Sequence, residues 1–116
     1  MSSPSHEVPE AEPARPWRPE DGPRPVVWTW PRADPPALWV GAHGAWRWAT
    51  VTAKQVWGDG TVYYQVTVDL RGDTTATVCL YRWPQPGLRV AHRSGCQPTT
   101  EVDAGAQGGM PGAPTA

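Results

Sequence analysis

The sequence predicts an all-β protein, a single five-stranded small barrel with an N-terminal extended strap and disordered tails. Three observations carry that reading. Between Ala37 and Val90 apolar residues alternate with polar ones at a period of two, and no stretch keeps helical spacing over a useful length. The pair Asp59-Gly60 separates two of these runs and supplies the positive φ that a hairpin turn needs, which the residue types suggest is of type I′. Both ends of the chain are rich in Pro, Gly, Ala and Ser without any periodicity, a composition that cannot bury enough apolar surface to order itself.

The 116 residues leave room for one domain, and the 39% hydrophobic content is concentrated between Val26 and Val90. The ordered core is then roughly 60 residues, a size at which burial only just suffices for stability. Eight tryptophans offset this, since each aromatic ring buries ~150–250 Å². The net charge of −1 is unevenly spread: residues 1–36 carry −2, residues 37–93 carry +3 and residues 94–116 carry −2. A mildly basic barrel between acidic tails lacks the clear basic stripe of a dedicated nucleic-acid binder. The absence of Phe, Ile and Asn, with Lys54 as the single lysine, points to a GC-rich bacterial coding bias.

Taken in order, residues 1–25 read as a disordered, Pro-rich tail. Residues 26–36 follow as an extended strap or edge strand, because proline flanks Val26 to Trp30 on both sides. The barrel occupies residues 37–93. Its first strand is Ala37 to Val40 and its second runs from about Trp46 to Trp57, with Ala49, Val51 and Ala53 on one face. The third, Thr61 to Leu70, directs Tyr64, Val66 and Val68 inward and Tyr63, Gln65 and Thr67 outward. The fourth, about Thr74 to Trp83, is expected to direct Ala76, Val78 and Leu80 inward, leaving Cys79, Tyr81 and Trp83 outside. Pro84 to Gly87 cannot continue a ladder and predicts a 3₁₀ turn, after which Leu88 to Val90 closes the barrel. Residues 94–116 read as a second disordered tail.

The order Trp39-Val40, Gly44, Trp46 to Val51, Asp59-Gly60, Val66-Thr67-Val68-Asp69 and Gly87-Leu88-Arg89 resembles the SH3-like small barrels, and within them the Tudor-like branch, over roughly residues 37–91. The resemblance implies the barrel. It does not bring the methyl-ammonium ligand of that branch, because the comparable positions, Gly41 to Ala45, Arg47 and Asp69 to Gly72, hold no aromatic ring for cation–π recognition.

The candidate site is therefore an aromatic face of the barrel's own. Trp46, Trp48, Tyr63, Tyr81 and Trp83 are expected on the outside, with Arg47 and Arg71 beside them. An exposed patch of this kind marks an interface. It suits a protein or peptide partner, a second copy of the chain in a homodimer, or, with interleaved Arg, a nucleic acid as the weaker alternative. Alternatively, Trp28 and Trp30 of the strap cover it as a second small core. No catalytic residues stand out, so the chain reads as a non-enzyme. Cys79 and Cys96 form no ligand spacing, His6, His43 and His92 are scattered, and neither a metal nor another cofactor is expected. No apolar run approaches ~18 residues, so no membrane association is expected, and without a signal-like start the chain reads as cytoplasmic.

Overall fold

The structure, a computed structural model, describes residues 8–100. Those residues form an all-β protein with seven strands: β1 (Val26–Thr29), β2 (Ala37–Ala42), β3 (Ala45–Val56), β4 (Val62–Val68), β5 (Thr77–Trp83), β6 (Leu88–His92) and β7 (Thr99–Thr100). All pairings are antiparallel.

The long strand β3 organises the sheet. Its first half pairs with β2, from Ala37↔Thr50 to Ala42↔Ala45, and its second half pairs with β1, from Val26↔Val56 to Trp28↔Lys54. On its other edge β4 runs along Ala49 to Val56. The register shifts between Val51, opposite Val66, and Ala53, opposite Gln65. The extra residue is a β-bulge, which bends the strand and lets one strand serve two neighbours on the same edge. The hairpin between β3 and β4 turns at Asp59-Gly60 as expected, but by a different turn. Gly60 N–H donates to Trp57 C=O at 2.9 Å, and within the turn only Gly60 has positive φ, at 87°. That is a type I turn closed by a left-handed glycine, not the type I′ turn, which would need positive φ at both central residues. Thr61 N–H donates to the Asp59 side chain at 2.9 Å and fixes it.

The five-stranded expectation is corrected to seven, because β1 and β7 extend the sheet beyond the predicted strands. The strap residues Val26–Thr29 thus lie between β3 and β7 and are not an edge. The strands also do not close on themselves, since β5 and β6 share no ladder. Residues 9–14 occupy the seam. Ala11 N–H donates to Gly41 C=O at 2.8 Å, Ala14 N–H to Leu80 C=O at 2.7 Å, and Pro13 bridges Tyr81. The described part of the Pro-rich tail is therefore ordered: Ala11 is 6% exposed and belongs to the core. Its composition hides this, because the neighbouring strands supply the hydrogen-bond partners and a single small side chain supplies the burial. At the other end, β7 orders part of the second predicted tail by pairing with β1. Residues 1–7 and 101–116 of the two tails lie outside the described residues.

The core gathers Leu38 and Val40 from β2, Ala49 and Val51 from β3, Val66 and Val68 from β4, and Leu88 from β6. The predicted inner face of β4 holds, and that of β3 holds at Ala49 and Val51; past the bulge Ala53 falls opposite outward Gln65 and is buried outside this core cluster, which corrects the expectation that it shares their face. The predicted face of β5 is inverted. Tyr81 is buried at 2% exposure and Val78 is 64% exposed. The cause is register: Cys79 lies opposite Val66 and Tyr81 opposite Tyr64, so they share the side on which β4 is buried. Pro84 to Gly87 forms a single turn, closed by Leu88 N–H to Gln85 C=O at 3.1 Å, in place of the expected 3₁₀ segment.

Candidate interaction surface

The predicted aromatic face divides into separate clusters. Trp48 stays on the outside, 52% exposed, directly opposite Trp39 of β2, which is 36% exposed. The two rings meet edge to face, with centroids 5.4 Å apart and planes at 86°, the arrangement favoured by the aromatic quadrupole. Trp46 continues the same side of β3, and the Arg89 guanidinium lies over its ring, 4.4 Å from the centroid. Arg89 itself sits opposite Trp39 in the β2–β6 ladder. Alternation and register thus place Trp39, Trp46, Trp48 and Arg89 on one outer face across β6, β2 and β3. Trp39 and Arg89 are missing from the predicted set. Trp39 was legible from its place between Leu38 and Val40, both buried, whereas Arg89 needed the pairing with β2.

The strap does not cover this face. β1 lies along the other half of β3, Trp28 is opposite Lys54, and Trp30 packs against the core. Tyr63 belongs elsewhere: it stacks on Trp57 at 4.1 Å and 29°, and Trp57 Nε1–H donates to Gln55 Oε1 at 3.0 Å. Tyr81 and Trp83, expected outside, turn inward with the rest of their strand. Trp83 is half-buried and meets Tyr64 edge to face at 5.7 Å and 83°. Burial, reinforced by the Cys79 thiol, pushes the Tyr81 phenol well above its ordinary range, and burial raises Tyr64 as well.

Neither predicted arginine joins the tryptophans. Arg47 lies opposite Val40, on the inner side, with its Nε enclosed and unpartnered. Its guanidinium rests against Gly72, where an added Cβ would come 2.6 Å from Nη1. Arg71 is exposed in the turn after β4. That turn is organised by Asp69, whose carboxylate accepts the N–H groups of Gly72, Asp73 and Thr74 at 2.8, 3.1 and 2.7 Å. Burial opposes ionisation there, but these amide donors outweigh it and hold the Asp69 carboxyl below its usual range.

A second feature escaped the sequence reading. A cavity of about 430 Å³ opens beside β6, with Trp30, Tyr64, Trp83 and Val90 among its walls and His92 at its rim. His92 Nε2 is 2.7 Å from Asp34 Oδ1, and Asp34 Oδ2 accepts the Gly95 N–H at 2.6 Å. The His92 bond is the largest cause of a lowered Asp34 carboxyl pKa. Among the described residues no group of His, Cys, Asp and Glu could hold a metal ion, both cysteines are free, and no helix is long and apolar enough to cross a membrane. No protein family, curated protein or solved structure matches the chain.

These carboxylates fix the sign of an acid response. Asp21 is lowered from 3.8 to about 2, chiefly by the side-chain bond from Arg15. Asp34 and Asp69 are lowered too. A depressed folded-state pKa contributes stability above the unfolded pKa and loses it as pH falls through the folded value. The urea midpoint is therefore expected to fall between about pH 4 and pH 2. Asp34→Asn should lower the midpoint at pH 7 and flatten its acid dependence. An identical profile in the variant would rule out this role for Asp34.

Proposed function

We propose that the chain is a non-catalytic interaction module that binds a protein or peptide through the outer face of β6, β2 and β3. The observation that carries this reading is the Trp39–Trp48 pair, which stays exposed while the strap and residues 9–14 dock elsewhere on the sheet. Tryptophan and arginine dominate interface hot spots, because a large rigid ring loses little conformational entropy on binding and buries much area. Arg89, held over Trp46, adds a fixed cation at the patch. The pairing of β2 with both β3 and β6, and the β3–β4–β5 meander, support an SH3-like plan for the module. A protein partner is favoured over a nucleic acid because, among the described residues, Arg89 is the one cation found over a ring of these tryptophans, and a phosphate track requires several. A binding role is also favoured over an enzymatic one. Ser94 Oγ is turned to Asp34, at 3.4 Å, and no hydrogen bond joins it to the His92 imidazole that a base would need to present to it.

Selection from a displayed peptide library, followed by titration of the enriched sequences, tests the surface. Trp48→Ala and Trp39→Ala are each expected to weaken binding roughly tenfold or more, and Trp57→Ala, in the separate Tyr63 cluster, to leave it unchanged. Enriched ligands that bind both tryptophan variants as tightly as the parent would refute the assignment.

A further inference from the structure

The cavity beside β6, about 430 Å³, falls within the ~300–1,000 Å³ of small-molecule sites. It is the unfilled end of the core. Val90 lies opposite Leu38 in the β2–β6 ladder, on the side that β2 buries, yet it is 43% exposed. Trp30, Tyr64 and Trp83 pack against the core cluster but stay only half-buried, and all three line the same space. Side chains alternate along a strand, so the cavity lies across β2 from Trp39 and its partner Trp48. The inference is therefore independent of the proposed peptide surface.

The charge of the wall selects the ligand. Asp34 pins the stretch after β6 on both sides of Arg93. Its Oδ1 lies 2.7 Å from His92 Nε2, and its Oδ2 accepts the Gly95 N–H at 2.6 Å and the Ser94 hydroxyl at 3.4 Å. That carboxylate is spent on the loop and forms no part of the cavity wall. Arg93 does line the cavity, is exposed, and makes no ion pair among the described residues. The ring residues carry further donors: the indole N–H groups of Trp30 and Trp83 and the Tyr64 hydroxyl have no hydrogen-bond partner among the described residues. The wall thus offers a cation and unspent donors, and its complement brings acceptors and negative charge. An ammonium group, which the rings could otherwise attract, would meet the like charge of Arg93. We propose that the cavity binds a small aromatic carboxylic acid, its ring system among Trp30, Tyr64 and Trp83 and its carboxylate on Arg93. A volume near the low end of the range limits that acid to one or two rings.

Calorimetric titration of the full chain with three probes of one shape tests it: 2-naphthylacetate, its neutral amide, and the cationic 2-naphthylethylammonium. The acid, with about 14 non-hydrogen atoms, is expected to saturate one site with a Kd of about 1 mM or tighter. The amide should bind roughly tenfold more weakly, since it forfeits the charged hydrogen bond, and the ammonium more weakly still. Arg93→Gln changes an exposed side chain, so the fold is retained, and it should bring the acid down to the affinity of the amide. Val90→Trp places a large ring where the cavity is open and should abolish binding of both, with the urea midpoint as the check on folding. Absence of saturation by the acid overturns the proposal, as does an amide that binds equally well or an ammonium that binds best. An acid preference that survives Arg93→Gln also overturns it. So does binding that Val90→Trp retains and Trp48→Ala removes, which would put the probe on the tryptophan face.

Discussion

Tyr81→Ala is expected to cost about 3–5 kcal/mol of folding stability, the range for removing a buried aromatic side chain. That is a large part of the ~5–15 kcal/mol that holds a typical domain together. Tyr81 is 2% exposed, pairs with Tyr64 across the β4–β5 ladder and belongs to the same core cluster as Ala11. Its removal leaves a void in the core cluster that holds Ala11, where residues 9–14 meet β5. The expected result is a urea midpoint lowered in proportion with an unchanged slope, and premature loss of the N-terminal segment. Tyr81→Phe keeps the ring and should lose far less. The same residue sets an alkaline limit. Its folded-state pKa is raised, mainly by burial, so the protonated phenol contributes stability that is fully present below the unfolded value near 10. That contribution is lost as pH rises above it, and Tyr81→Phe should flatten the decline. A surface tyrosine, as sequence alternation implies, would give a loss within about 0.5 kcal/mol. A loss that small for Tyr81→Ala would contradict the inward placement.

That contrast marks where sequence patterning is sufficient. In β4 the inner set Tyr64, Val66 and Val68 alternates with polar Gln65 and Thr67, so only one face can be buried. In β5 both sets are apolar. Val78 and Leu80 compete with Cys79, Tyr81 and Trp83, and the period of two does not choose between them. The choice is made by pairing with β4, a register that local sequence does not contain. The candidate site inherits the error. Trp46 and Trp48 are legible because β3 carries small apolar residues on one side only, whereas Tyr81 and Trp83 fall inside with their strand. Of the two added strands, β7 escapes notice and β1, read as an extended strap or edge strand, is misplaced within the sheet. β7 is two residues long, and β1 is framed by prolines that mark it as an edge. Residues 9–14 are the least legible element, since their partners Gly41, Leu80 and Gln85 are remote in sequence and their own side chains show no periodicity.

The glycines facing that segment allow its energetic worth to be isolated. Gly41→Ala directs a Cβ at Pro9 C=O, and Gly87→Ala directs one at the Ala11 backbone. Both obstacles are main chain, so no side-chain rotation relieves them, and either substitution should expel residues 9–12. Four hydrogen bonds to these residues disappear, from Ala11 N–H to Gly41, the two between Glu12 and the Gln85 amide, and from His43 N–H to the Glu10 carboxylate, each worth about 0.5–1.5 kcal/mol net. The freed residues regain backbone entropy that offsets much of this, leaving an expected loss of roughly 1–3 kcal/mol. The decisive quantity is the double variant. Once the first alanine has expelled the segment, the second meets nothing, so the pair should cost little more than either alone. Independent sites would add within about 0.3–0.5 kcal/mol. A glutamate-specific protease gives a second readout, because expulsion exposes the Glu10–Ala11 bond, whereas Pro13 blocks cleavage after Glu12. Additive destabilisation with that bond still protected would mean that the glycines serve their own strands and that the segment tolerates both methyl groups.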